Sequence, residues 1–250
     1  MTKIDEVMNK VNETIEFANK KMESITKGGF PFAFEEVKLS IDHDSVGVYV
    51  HSGKTPVSAV KWISYSSDRV VAFLNSAIWA TVDATRTAVE RRSDIKKDAD
   101  ALADEADQSV RAAEALKAAG LPTDMLGSIN PSAAEAIISA ATRAVLKANV
   151  GIFMVVGDIM PIKEAKMYVK GFSNGIVVLA GDKPCLVTRF PKVLNAKGVE
   201  RTLRFIEADI AALNESRRAY FMKIRRRLDD EQKIRRDSDR YNSARIAAAM

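Results

Sequence analysis

The residues with the strongest chemical potential cluster between positions 42 and 55. His51-Ser52-Gly53-Lys54-Thr55 ends in Gly-Lys-Thr, the closing triplet of a phosphate-binding loop. In such a loop the upstream glycine falls at position 48, which is Val48 here; Gly47 is one residue too far. The loop also needs a helix starting at its lysine, whereas strand-like Val46–Val50 precedes this triplet and Pro56 follows it. A polar turn is the expectation. The two histidines, His43 and His51, lie near Asp42 and Asp44, a donor set that suits zinc. Alternating strand faces separate such side chains, and turn aspartates serve the backbone. No metal is expected.

Other catalytic patterns are weaker. Gly157-Asp158 and Gly181-Asp182 offer carboxylates for acid–base work, but nothing in the sequence brings them together. There is no Gly-x-Ser-x-Gly, no dinucleotide fingerprint and no Cys–His pair in a recognisable context. Cys185, the sole cysteine, falls in a strand and is expected in a core. The expectation is a protein that is not an enzyme and carries no cofactor, with an enzyme using an unrecognised site in an α+β body as an alternative.

Charge is distributed more tellingly. Asp98, Asp100, Asp104, Glu105 and Asp107 form an acidic stretch without Lys or Arg. Arg217, Arg218, Lys223, Arg225, Arg226 and Arg227 form a basic stretch without acids. Opposite charges beside apolar seams select helix partners, so these segments are expected to pair or to stay solvated. A polyanion is the competing partner for the basic stretch, making nucleic-acid binding the alternative function. Asp229, Asp230, Glu231, Asp237 and Asp239 dilute that field. The narrow, Ala-rich seam argues against membrane insertion.

The elements that must carry these residues follow from periodicity. Met1 to Lys27 has apolar residues every three or four positions and predicts an amphipathic helix closed by Gly28-Gly29. Phe34 to Ser52 alternates as a hairpin around Asp42–Ser45. From Pro56 to Ala119 a long helical signal carries a heptad seam with Val71, Leu74, Ile78, Ile95, Leu102 and Leu116 as anchors. Trp62, Trp79 and Phe73 are expected to anchor its base. Gly120-Leu121-Pro122 stops it.

After Asn130-Pro131-Ser132 a helix runs at least to Ala148, with Val150–Val156 ambiguous between helix and strand. Lys166–Phe190 predicts a three-stranded meander with turns at Ser173–Gly175 and Gly181–Pro184. The meander and the earlier hairpin could form one small sheet. Val199 to Met250 is a second long helix anchored by Leu203, Ile206, Ile210, Leu213 and Ile224, with a polar tail expected to fray or to be helical only when bound. The expected class is α+β, predominantly helical: a small antiparallel β body with two coiled-coil-like helices. Its segments are 1–66, 67–130, 131–198 and 199–250. No internal repeat beyond the heptads is evident.

Composition agrees. A 250-residue chain with 28% charged and 7% aromatic residues, 12 Gly and 7 Pro suits extended helical surface more than a β-rich enzyme. One cysteine and a charged N-terminus without a signal core suggest the cytoplasm. Val70–Val82 falls short of the roughly 20 residues a bilayer requires, and Ala144–Ile162 is interrupted by Lys147, Asn149, Gly151 and Asp158, so no transmembrane helix is expected. The functional expectation is a structural or assembly subunit, a homo-oligomer or part of a larger protein assembly such as a virion. Its greasy stripes would need cover from other chains.

Overall fold

The computed structural model describes residues 3–26, 38–62, 65–122, 131–157, 159–191 and 196–249. Helices α1 (Lys3–Thr26), α2 (Ser67–Ala118), α3 (Pro131–Val156), the short α4 (Ile162–Ala165) and α5 (Ala196–Ala249) make up most of it. Strands β1 (Leu39–His43), β2 (Gly47–Ser52) and β3 (Thr55–Lys61) form one antiparallel meander. Strands β4 (Met167–Phe172), β5 (Gly175–Ala180) and β6 (Lys183–Arg189) form another. The class is α+β and predominantly helical, with two sheets where one was thought possible.

Strand β3 lies where the long helical signal was expected to begin. Pro56 is tolerated there because β3 is an edge strand and the register shifts at Val50/His51, opposite the proline. Val57 and Val60 then enter the core. The segment Val150–Val156 is helical, and the polar tail of α5 stays helical to Ala249. The expected Gly28-Gly29 cap, the Phe34–Val37 part of the first strand and Asn130 lie outside the described residues. At the other ends, Gly120 and Gly157 take positive φ, the left-handed stop that glycine permits.

The chain divides into two compact units, Met1–Glu90 with Met222–Met250, and Arg91–Phe221. Each contains a helix, a meander and parts of both long helices. The first core gathers Val7, Val11, Ile15, Ala18 and Met22 of α1, Val48 and Val50 of β2, and Val70, Leu74, Ile78 and Val82 of α2. The second gathers Ile137, Ala141, Val145 and Ala148 of α3, Ile176 and Val178 of β5, and Ile206 and Ile210 of α5.

This is a duplication that the amino-acid identities hide. Gly47, Val50, Gly53 and Pro56 recur at one constant separation as Gly175, Val178, Gly181 and Pro184. The strand irregularity at Val50/His51 recurs at Val178/Leu179. Trp62 N–H donates to Val46 carbonyl as Phe190 N–H does to Asn174 carbonyl. An asparagine bridges helix to first strand in both units: Asn19 accepts from Leu39 N–H and donates to its carbonyl, and Asn149 does the same with Met167.

The far half of each long helix completes the sheet of the other repeat. Leu102 of α2 packs on Gly175 at the head of β5, and Ile234 of α5 packs on Gly47 at the head of β2. An ion pair tops each contact: Arg189 with Glu105, and Lys61 with Asp237 at 2.5 Å.

A methyl group on either glycine would disturb this packing unequally. At Gly175 a Cβ would lie 2.5 Å from the Thr188 carbonyl oxygen, a backbone atom that cannot step aside. At Gly47 the nearest atom is the Ile234 side chain at 2.9 Å. Gly175→Ala is expected to cost about 3 kcal/mol and Gly47→Ala about 1 kcal/mol, the two ends of the overpacking range. Urea unfolding of both variants, followed by circular dichroism, measures the order.

Candidate functional site

The residues singled out by the sequence fall into place as follows. Leu74, Ile78, Leu102, Ile206, Ile210 and Ile224 are buried; Val71, Ile95, Leu116, Leu203 and Leu213 are half-buried. Six of these eleven stripe residues are thus buried within the two units, and five keep part of their surface open. On α2 the buried face steps Val70, Leu74, Ile78, Val82, every fourth residue, because it lies along a helix–sheet core. Phe73, expected to anchor the helix base, is 56% exposed because it sits off that face; Trp62 and Trp79 are partly buried against the core.

Asp98, Asp100, Asp104, Glu105 and Asp107 are all exposed, and Glu105 pairs with Arg189. Arg218, Lys223, Arg225 and Arg226 are exposed, Arg227 is half-buried, and Arg217 turns inward to donate to the Ala165 carbonyl at 2.7 Å. The Gly-Lys-Thr triplet forms the β2–β3 turn, with Gly53 at positive φ and strands on both sides. Among the described residues no three His, Cys, Asp or Glu side chains are grouped to hold a metal ion.

Two features stand out as candidate sites. In the first unit a polar clamp joins the β1–β2 turn to the far end of α5. Asp44 Oδ1 accepts from Val46 and Gly47 N–H, both at 2.8 Å, and Oδ2 accepts from Tyr49 Oη at 2.7 Å. Tyr49 is fully buried, and the Arg235 guanidinium lies 4.0 Å over its ring. Arg235 donates to Glu231 and Asp42, while His51 Nε2 shares a 2.9 Å bond with Glu231. Ser45 bonds Ser238 and Asn242. Every carboxylate of the Asp42–Asp44 turn is therefore occupied by a side chain or backbone donor. The cluster thereby fastens the turn to α5.

Burial alone would raise the Asp44 pKa, but the bonds from Tyr49, Val46, Gly47 and Ser238 outweigh it and hold the carboxyl below its usual range. Burial and the adjacent Asp44 push the Tyr49 hydroxyl up, so it remains a donor.

The second feature is the outward face of α3. Leu146, Val150 and Met154, spaced four apart, are 55%, 62% and 81% exposed. The opposite face, Ile137, Ala141, Val145, Ala148 and Ile152, is buried in the second unit. The duplication supplies an internal comparison. These core positions match Val7, Val11, Ile15, Ala18 and Met22 of α1, which aligns Leu146, Val150 and Met154 with Glu16, Lys20 and Ser24, all exposed. The fold thus accepts polar residues there, yet α3 carries apolar ones. In the sequence Leu146 falls in the expected helix, and Val150 and Met154 fall in the segment ambiguous between helix and strand, so periodicity does not join the three on one face. By length and composition α3 could cross a membrane, its residues Ser132–Val156 having mean hydropathy 1.3; in the structure one side of it is core.

Against this geometry, no family model matches the chain, and neither a curated protein nor a solved structure gives a significant match.

The Asp44 clamp has a definite pH signature. A carboxylate held below its unfolded value stabilises the fold above about pH 4 and loses that contribution as pH falls through its folded pKa. Tyr49→Phe removes one donor to the charged form. It should cost about 2 kcal/mol at pH 7 and move acid unfolding to higher pH. Fluorescence-monitored acid titration of both proteins measures the shift; an unchanged midpoint would show that the bond does not hold the carboxylate.

Proposed function

We propose that the chain is a non-enzymatic assembly subunit that acts inside the cell and associates with a second copy of itself through the outward face of α3. The observation that carries this reading is the Leu146–Val150–Met154 stripe, apolar where the equivalent face of α1 is Glu16, Lys20 and Ser24. Exposed contiguous apolar surface marks interaction sites, and no fold requirement explains these three residues. The heptad stripes do not carry the proposal, because six of their eleven anchors are buried within the chain's own units.

A second copy fits the charges beside the stripe. Antiparallel pairing centred on Val150 sets Leu146 against the copy's Met154. It also brings Arg143 and Lys147, both exposed, beside the last turn of the copy's α3. The carbonyls of that turn carry the negative end of the helix dipole, which favours cations. The same patch serves both copies, as a two-fold contact demands.

Sedimentation equilibrium of the full chain and of Val150→Glu/Met154→Glu tests this reading. The wild type is expected to dimerise or assemble further and the double variant to remain monomeric with an unchanged circular dichroism spectrum. A wild type that stays monomeric at its highest soluble concentration overturns the proposal. So does assembly that survives the substitutions, or wild-type binding to lipid vesicles that the substitutions abolish without affecting self-association.

A further inference from the structure

The far half of α5 presents two unlike faces. Ile234 and Ser238 are buried on one side, and Glu231 and Arg235 of that side enter the clamp on the first sheet. On the other side Met222, Arg226, Asp229, Lys233, Arg236 and Arg240 follow at alternating steps of four and three residues, and all are exposed. That spacing keeps them on one face of a helix. With a rise of 1.5 Å per residue, Arg226 to Arg240 spans about 21 Å.

In the sequence, five acids dilute the positive charge of this segment. The structure takes two of them away from the outward face. Glu231 accepts from Arg235 Nε at 2.8 Å and meets His51 Nε2 at 2.9 Å, and Asp237 holds Lys61 Nζ at 2.5 Å. Asp229 remains in the stripe, while Lys223 and Asp230 lie together along its edge, seven residues apart. The stripe itself therefore sets four cations against one carboxylate. Among the described residues no ion pair engages Arg226, Lys233, Arg236 or Arg240.

The duplication shows that the fold does not need this charge. Counted from Leu102 and Ile234, which pack alike on the two glycines, the four cations correspond to Asp94, Ala101, Asp104 and Gln108 of α2. Asp229 corresponds to Lys97. The same face of the sister helix thus carries two acids and one base. Cations are concentrated on the outward face of α5 alone, and packing gives no reason for them.

We propose that this face of α5 binds double-stranded nucleic acid through its phosphates, without regard to base sequence. A duplex carries one negative charge per about 1.7 Å of its axis, so a stripe of about 21 Å meets a dense row of them. Release of the counterions condensed on that row drives the association. Single strands are held by aromatic side chains that stack on the bases, and the stripe contains none. Met222 is its one apolar member, too little to insert into a lipid surface. The proposal does not rest on self-association through α3.

Fluorescence anisotropy of a labelled DNA duplex of about 20 base pairs and arbitrary sequence, titrated with the full chain from about 50 to about 200 mM salt, tests it. Four phosphate contacts give a slope of about −3.6 in log K against log salt, a loss of roughly 150-fold over that range. Arg226→Gln/Arg236→Gln should make the slope shallower by about 2 and weaken binding by more than about tenfold at the lower salt. Arg91→Gln/Lys96→Gln removes the same charge from exposed positions on α2 and should bind as the wild type does. Circular dichroism checks that the variants fold. Arg240→Gln, expected to change the slope by about 1, replaces the first variant should that one fail to fold.

A wild type that does not bind the duplex at the lower salt overturns the proposal. So does a folded stripe variant that binds unchanged, or an equal loss in the α2 variant. A single strand of the same length that competes better than the duplex, or binding confined to vesicles containing phosphatidylserine, overturns it too.

Discussion

The structure depends on covering both faces of two very small sheets. A three-stranded meander has a middle strand whose alternate side chains point to opposite sides, and here the first four residues of each middle strand are buried. Gly47, Val48, Tyr49 and Val50 are all buried, as are Gly175, Ile176, Val177 and Val178. One helix layer can shield only one set. Val48 and Val50 face α1 and the near half of α2, while Tyr49 joins Val46 and Ile234 on the other side. A second helix is therefore obligatory, and it comes from the other repeat. Glycine at the head of each middle strand lets that helix approach closely.

Reciprocal completion explains why both helices exceed fifty residues, at 52 and 54. The near half of each serves the core of its own repeat, and the far half serves the sheet of the other. Length alone resembles a stalk, and the heptad spacing strengthens that impression. Their inward residues nevertheless meet strands of the same chain. The polar interactions follow this plan: the Asp44 clamp and the Lys61–Asp237 and Arg189–Glu105 pairs all fasten a far half-helix to a sheet.

Once both repeats are aligned, their differences become more informative than their similarities. Shared features such as the asparagine bridges and the turn glycines are what the architecture requires. The apolar stripe on α3 appears in one repeat, and its counterpart on α1 is polar. Residues the fold can do without, concentrated in one copy, are where a binding role finds physical support.

By itself the sequence determined the local features: helices from apolar residues every three or four positions, turns from Gly53-Lys54 and Gly181-Asp182, and the second meander from its alternation. Those signals are short-range, set by backbone sterics and side-chain period. It missed β3 because the long helical signal was taken to begin at Pro56, a residue that an edge position and a register shift allow in a strand. The duplication was hidden because packing conserves size and polarity, which Val, Ile, Leu, Met and Ala exchange freely. Only tertiary structure decided which surface covers each stripe. Burial belongs to pairs of elements distant in the chain, and the same heptads would suit a partner chain as well as a sheet.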